Sequence, residues 1–91
     1  LFIRKQQLPP DDPSLYSIYR SMGSLYSTMG DDSMAVECQE KSLEIQESMA
    51  SADYGAMSIT HYNLAIAYDR IGKRTAAIEH ANGAVSKATL A

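Results

Sequence analysis

The chain has 91 residues and a formal net charge of -3, and 45% of its residues are hydrophobic and 21% charged. This length supports one small domain, and the composition predicts a folded, soluble chain without a membrane span. The acidic balance does not favour nucleic-acid binding, which requires clustered Lys and Arg to displace counterions from phosphates. The single cysteine, Cys38, cannot form an internal disulfide, so the sequence predicts a cytoplasmic location.

The first predicted helix covers residues 13–29, where apolar residues recur at helical spacing on one stripe. The stripe consists of Leu15, Tyr19, Met22, Tyr26 and Met29. Asp12 can cap the helix and Pro13 fits its first position, because proline has no N–H to leave unpaired there. Gly30, which tolerates a positive φ, predicts the end of the helix.

A second helix is predicted over residues 32–49. Its apolar stripe is expected to include Ala35, Gln39, Ser42, Leu43 and Met49. The opposite face carries Glu37, Glu40, Lys41, Glu44 and Glu47, which we expect to be a solvated acidic surface. Asp31 and Asp32 stand at the positive end of the helix dipole, where anions are stabilising.

The remaining chain repeats this organisation, with helices predicted over residues 55–71 and 75–90. The stripe of the third helix is Met57, His61, Leu64, Tyr68 and Ile71, and that of the fourth is Ala77, Ala81, Ala84, Val85 and Ala88. Gly72 predicts the turn between them. Gly83, inside the fourth helix, is expected to destabilise it by about 1 kcal/mol.

Two stretches, "YSTMGDDSMAVE" and "YDRIGKRTAAIE", share Tyr, Gly, Ala and Glu at the same spacing, 42 residues apart. Such a period predicts stacked helical hairpins that cover one another's apolar faces. Tyr26 and Tyr68 are then expected to fill the space between helices. Ala35 and Ala77 are expected where two helices cross at close range.

The shared positions resemble the tetratricopeptide repeat. The matching residues are Tyr19, Met22, Gly23, Tyr26, Gly30, Ala35, Ser42 and Leu43, then His61, Leu64, Ala65, Tyr68, Gly72, Ala77, Ala84 and Val85. The 42-residue spacing, with "EKSLEIQE" and "HYNLAIAY", is more specifically similar to the repeats of kinesin light chain. Gln39 and Ala81 replace a usual aromatic and Ser42 a usual alanine, which predicts slightly looser packing.

The resemblance implies an all-α fold of antiparallel hairpins stacked as a right-handed superhelix, an α-solenoid fragment. Residues 1–8 would end the second helix of a preceding repeat, and residues 13–50 and 55–90 would form two complete repeats. The start at Leu1, within an apolar stretch and without methionine, indicates a segment of a longer protein.

The resemblance also implies that a peptide or protein partner binds in a concave groove lined by the first helix of each pair. The corresponding positions are Arg20, Ser24, Ser27, Ile59, Tyr62, Asn63, Ile66 and Arg70. Amide groups such as Asn63 can pair with a peptide backbone, and the two arginines can meet acidic side chains. Two alternatives stay open: these are ordinary solvent-facing residues, or the chain is an architectural or self-association segment of a larger regulatory protein.

No enzyme, cofactor or metal site is predicted. The sequence has no glycine-rich phosphate loop and no HExxH, and His80 has no cysteine at ligand spacing. His61 lies on a core stripe, where a buried, hydrogen-bonded histidine is the more common role.

The two ends of the chain predict self-association, because each carries apolar residues that a neighbouring repeat would cover. These residues are Leu1, Phe2, Ile3 and Leu8, and Ala81, Val85, Ala88 and Leu90. A homo-oligomer could form by stacking the ends of two chains or by exchanging a helix between them. The alternative is a monomer whose first eight residues fold back over an exposed face.

Overall fold

A computed structural model describes residues 15–49 and 53–91 of the chain. The helices are α1 (Leu15–Thr28), α2 (Asp32–Ser48), α3 (Tyr54–Arg70) and α4 (Arg74–Leu90). Neither described range contains a β-strand, so the all-α class is confirmed. Every predicted helix boundary within these ranges is correct to within one residue. The predicted start at residue 13, its Asp12–Pro13 cap and the segment 1–8 lie outside the described residues.

The turns within the two hairpins have the same geometry, and both depend on a glycine. Gly30 and Gly72 have φ angles of 85° and 83°, a region that other residues enter only at a cost of about 1–2 kcal/mol. After α1, the N–H of Gly30 donates to Ser27 O (3.0 Å) and that of Asp31 to Tyr26 O (2.9 Å). This pair of bonds is the Schellman motif, and its equivalent follows α3. The predicted helix stops are confirmed.

Aspartates cap the starts of α2 and α3. The Asp31 carboxylate accepts a hydrogen bond from Met34 N at 3.2 Å, and that of Asp53 accepts one from Ala56 N at 3.1 Å. Lys73 stands in the capping position of α4 and makes no side-chain cap. The start of α4 is therefore held less firmly than those of α2 and α3.

Consecutive helices pack against each other as antiparallel neighbours, α1 on α2, α2 on α3 and α3 on α4. In the first hairpin, Ser42 Oγ on α2 donates to Tyr16 O on α1 at 2.8 Å. In the second hairpin, Ser58 Oγ on α3 donates to Ala84 O on α4 at 2.8 Å. Positions 58 and 84 lie 42 residues after positions 16 and 42. The two hairpins thus share one cross-helix hydrogen bond, with the serine on opposite helices.

The hydrophobic core lies between α2 and α3 and joins the two hairpins. We call it the inter-hairpin cluster: Leu43, Met57 and Leu64 are buried, and Val36 and Tyr68 pack against them. Leu64 is 0% exposed, and burying such a side chain contributes roughly 1.5–3 kcal/mol. Neither hairpin could bury this surface alone.

The stripe predicted for α1 is only partly correct. Met22 and Met29, expected in the core, are 40% and 62% exposed, while Leu15, Tyr19 and Tyr26 are half-buried. The one residue of α1 that is buried is Gly23. The reason is that α1 packs on α2 through the face bearing Gly23, and periodicity alone does not tell which face meets a neighbour.

On α4 the apolar residues towards the end of the chain are exposed, as predicted for residues that a following repeat would cover. Ala77 is buried and Ala84 half-buried, but Ala81, Val85 and Ala88 are exposed. Packing on α3 covers only the first two.

Gln39 is buried although it stands where an aromatic residue was expected. This side chain is 2% exposed, and its Nε2 donates to Arg20 O at 3.2 Å. A Cβ placed on Gly23 would lie 2.7 Å from Gln39 Nε2, well inside van der Waals contact. The glycine therefore makes room for an amide in the place of the family's usual aromatic ring.

Two paired positions of the repeat gave different outcomes. Ala35 and Ala77 are 1% and 8% exposed, which agrees with close helix crossing. Tyr26 and Tyr68 are half-buried, so truncating either ring to alanine should cost less than the roughly 3–5 kcal/mol of a fully buried aromatic.

In the described part of the chain, no helix combines the length and hydropathy that crossing a bilayer demands.

Candidate peptide-binding groove

A cavity of about 170 Å³ lies where α1, α2 and α3 meet, and we call it the groove cavity. Its lining is Gly23, Ser24, Ser27, Ala35, Gln39, Asn63, Ile66, Ala67 and Arg70. Five of the eight positions that the resemblance assigned to a groove are among them: Ser24, Ser27, Asn63, Ile66 and Arg70. The fold brings residues from both predicted repeats to one concavity.

A wider cavity of about 430 Å³ lies along α3 and α4, and we call it the end cavity. It is lined by Tyr62, Ala65, Ile66, Asp69, Arg74, Ala77, Ile78 and Ala81. Tyr62 is 60% exposed here, and Ile66 lines both cavities. Of the predicted groove residues, Arg20 and Ile59 line neither of these two cavities.

The walls that α2 and Gly23 contribute to the groove cavity were not predicted. Gly23, Ala35 and Ala67 are small, so helices approach closely around the concavity. Gln39 Oε1 is a buried acceptor that has no hydrogen-bond partner in the described part of the chain. A glycine inside a helix is the sequence signal that could have indicated this close approach.

Arg70 is already engaged within the chain. Its Nη1 donates to Ser27 Oγ at 2.7 Å and lies 3.5 Å from Asp32 Oδ1. The Arg70 side chain is 51% exposed, so the ion pair contributes less than about 1 kcal/mol. Arg70 therefore ties α3 to α1 and α2 at the edge of the groove cavity.

Arg20 has a different environment. Its guanidinium carbon lies 5.7 Å from the centre of the Tyr16 ring, a cation–π contact within α1. Arg20 Nη1 is buried and donates no hydrogen bond within the ranges that the structure covers. Of the two arginines predicted to meet an acidic ligand, Arg20 is the one with an unsatisfied donor.

A polar cluster outside the groove lining connects α2, α3 and α4. His61 Nδ1 lies 2.9 Å from His80 Nδ1, so one nitrogen carries the proton and the other accepts. The Tyr68 hydroxyl donates to the Glu40 carboxylate, and the Tyr68 ring stacks on His80 at 5.4 Å between centroids. His80 Nε2 lies 3.9 Å from Glu40 Oε2. His61 is buried and paired as expected, whereas the prediction that Glu40 is simply solvated is wrong.

Burial shifts the pKa values of several groups. It lowers the pKa of His61, an effect strengthened by His80 and Lys87 and opposed by Glu40. Burial, with the hydrogen bond to Glu40, raises the pKa of Tyr68 to about 12. The surroundings of these two residues therefore favour the neutral imidazole of His61 and the neutral phenol of Tyr68.

The one cysteine of the chain, Cys38, is buried on α2. Burial, followed by the charge of Glu37, raises the pKa of the Cys38 thiol, which is 4% exposed. No group of three or more metal-ligating side chains occurs within residues 15–49 and 53–91.

A family model for the tetratricopeptide repeat matches residues 14–87. The match covers more than half of the 91 residues, so the chain belongs to the tetratricopeptide repeat family. Repeats of this family generally mediate protein–protein interaction and form a non-catalytic module. No curated protein and no solved structure matches the chain.

Proposed function

We propose that the chain binds an extended segment of a partner protein in the groove between α1 and α3. The observation that carries the proposal is the convergence of five of the eight predicted positions on one cavity. Because α1 and α3 belong to different hairpins, the inter-hairpin cluster sets the width of this groove. Stability of that cluster and binding are therefore coupled.

The lining supports a ligand of mixed chemistry. Ile66 and Tyr62 offer apolar contact, and Gln39 Oε1 offers a buried acceptor to a backbone N–H of the ligand. Arg70 lines the groove cavity and its side chain is 51% exposed, although its Nη1 already contacts Ser27 and Asp32. The unsatisfied Nη1 of Arg20 is buried, and Arg20 lines neither cavity. We infer an extended peptide with apolar side chains and one carboxylate, placed at the exposed guanidinium of Arg70.

The finer assignment is an adaptor-type segment similar to the repeats of kinesin light chain. It is supported by the 42-residue spacing and by helices of 17 residues in α2, α3 and α4. In this proposal residues 1–8 end a preceding repeat, and residues 13–50 and 55–90 are two complete repeats. A cytoplasmic location remains a prediction from the single cysteine.

Filling the groove cavity tests the proposal. Linear peptides would be selected from a displayed library on the intact chain, and their affinities measured by calorimetry. Ser24→Arg places a long side chain in the cavity and should weaken the selected peptides by about tenfold or more, equivalent to roughly 1.4 kcal/mol. Ser86→Arg, an equally charged change at an exposed serine of α4, is the control and should leave the affinity unchanged. Equal weakening by both changes, or a selection without binders, would refute groove binding.

A second candidate function is self-association as an architectural segment. The specific observation in its favour is the exposure of large apolar side chains on α1 and α4. Met22 and Leu25 are 40% and 60% exposed, and Ile78 and Val85 are 55% and 68% exposed. Within each helix these side chains are three or seven positions apart and therefore share one face, and exposed apolar faces mark interaction sites.

A further inference from the structure

The inter-hairpin cluster has a second copy in the sequence, divided between the two ends of the described chain. Shifting each cluster residue by 42 positions gives a residue of the same chemical class. Val36 corresponds to Ile78, Leu43 to Val85, Met57 to Leu15, Leu64 to Met22 and Tyr68 to Tyr26. The two α2 members thus have counterparts on α4, and the three α3 members have counterparts on α1.

Three of these counterparts, Met22, Ile78 and Val85, are more exposed than the cluster residues to which they correspond. Leu43 and Leu64 are 5% and 0% exposed, whereas Val85 and Met22 are 68% and 40% exposed. Ile78 is 55% exposed. The chain therefore presents both halves of an apolar contact that it also makes internally.

The cavities follow the same shift. Five residues of the groove cavity, Gly23, Ser24, Ser27, Ala35 and Gln39, correspond to Ala65, Ile66, Asp69, Ala77 and Ala81 of the end cavity. In the groove cavity the remaining wall is α3. Among residues 15–49 and 53–91, no helix takes the position at the end cavity that α3 takes at the groove cavity, and the end cavity is larger, at about 430 Å³ against 170 Å³.

We propose that the end cavity and the exposed face of α4 receive α1 from a second copy of this chain, placed as α3 is placed on α2. The proposal rests on the self-association candidate, in which α4 of a second copy replaces the preceding repeat assigned above to residues 1–8, and it specifies the geometry of the contact. Leu15, Met22 and Tyr26 of one copy pack on Ile78 and Val85 of the other. This contact is heterologous, since it joins different surfaces of the two copies, and it can continue from chain to chain.

Polar groups at the contact are compatible but weaker than those inside the chain. The Tyr68–Glu40 pair is replaced by Tyr26 and Asn82, whose amide can accept from the phenol. Arg70 and Asp32 form an ion pair inside the chain. The equivalent residues at the intermolecular contact are Thr28 and Arg74, which cannot form one. The intermolecular contact is therefore weaker than the contact between α2 and α3 and depends on concentration.

A mixing experiment distinguishes this geometry from other kinds of self-association. Met22→Asp places a charge in the apolar face of α1 and leaves the face of α4 unchanged. Val85→Asp places a charge in the apolar face of α4 and leaves the face of α1 unchanged. Masses would be measured by light scattering over a range of concentrations, after circular dichroism has shown that each variant remains helical. Ile59→Asp is the matched control, because Ile59 is 51% exposed and lines neither cavity.

We expect the mass of the unmodified chain, and that of the Ile59→Asp variant, to rise with concentration. Each of the other two variants alone should stay near the monomer mass of 10.0 kDa, and their equimolar mixture should reach about twice that mass.

An unmodified chain that stays monomeric throughout would overturn both this contact and self-association, leaving groove binding untouched. An oligomer insensitive to both aspartates, as helix exchange would give, overturns the head-to-tail contact alone. Variants that stay monomeric after mixing also overturn it, because a symmetric contact between identical faces cannot be restored by mixing. If either aspartate unfolds the chain, Ile78→Asp replaces Val85→Asp and Leu15→Asp replaces Met22→Asp.

Discussion

Glycine inside a helix is the residue-scale feature that explains most about the packing of this chain. A Cβ added at Gly83 would lie 2.9 Å from His61 Nδ1 and 3.1 Å from His61 Cγ. Gly83 thus allows the His61 ring to approach the α4 backbone and reach His80. The sequence predicted only that Gly83 weakens its helix, because the propensity scale contains no information about a ring on the neighbouring helix.

Gly83→Ala should destabilise the fold, although alanine is the better helix former by about 1 kcal/mol. The methyl group displaces the His61 ring, so we expect a net loss of about 1–2 kcal/mol in the free energy of unfolding, measured with urea. In a His61→Ala background the same change should instead stabilise the chain.

Gly55→Ala is the control for this cycle, since its added Cβ would meet only Asp53 Oδ1, at an ordinary 3.6 Å. If Gly83→Ala stabilises the unmodified chain as much as Gly55→Ala does, the close approach of His61 is wrong.

At the scale of the helices, the His61–His80 contact makes the packing of α3 on α4 sensitive to pH. The groups facing His61 are Glu40 from α2, Tyr68 through its stack on His80, and His80 and Lys87 from α4. Burial and the two basic neighbours lower the pKa of His61 below its ordinary value of 6.5. The unfolded chain therefore takes up a proton at this residue at a higher pH than the folded chain does.

The free energy of unfolding should consequently fall as the pH is lowered from about 7.5 to about 5.5, a range above the titration of ordinary carboxyl groups. His61→Gln removes the titrating group while keeping an amide that can bond to His80, and it should flatten this dependence. Urea unfolding at the two pH values measures both. An equally steep fall in His61→Gln would assign the effect to other groups.

Helices and turns were predictable because their signals are local. Gly30 and Gly72 end helices through their own φ angles, and Asp31 and Asp53 cap the next helix through their own side chains. The burial of a side chain, in contrast, depends on contacts with other helices. Met22 and Leu64 occupy equivalent positions of the repeat, yet one is 40% exposed and the other 0%, because only α3 has a helix lying across that face in the described chain.

For the whole molecule, one 42-residue frame accounts for the internal core, the groove and the exposed ends. The resemblance to a known repeat predicted a groove lined by eight residues, and five of them line one cavity. The resemblance could not indicate which of these side chains already form hydrogen bonds within the chain. The bond from Arg70 to Ser27 joins residues 43 positions apart, and no spacing rule in the sequence predicts it.

The central claim, that a partner segment lies between α1 and α3, is tested most directly by mapping amide chemical shifts during titration with a selected peptide. The account predicts that the largest shifts occur on α1 and α3, around Ser24, Ser27, Asn63 and Ile66, and that they disappear in Ser24→Arg. Shifts confined to α4 around Ile78 and Val85, or to the acidic face of α2 around Glu44, would contradict it.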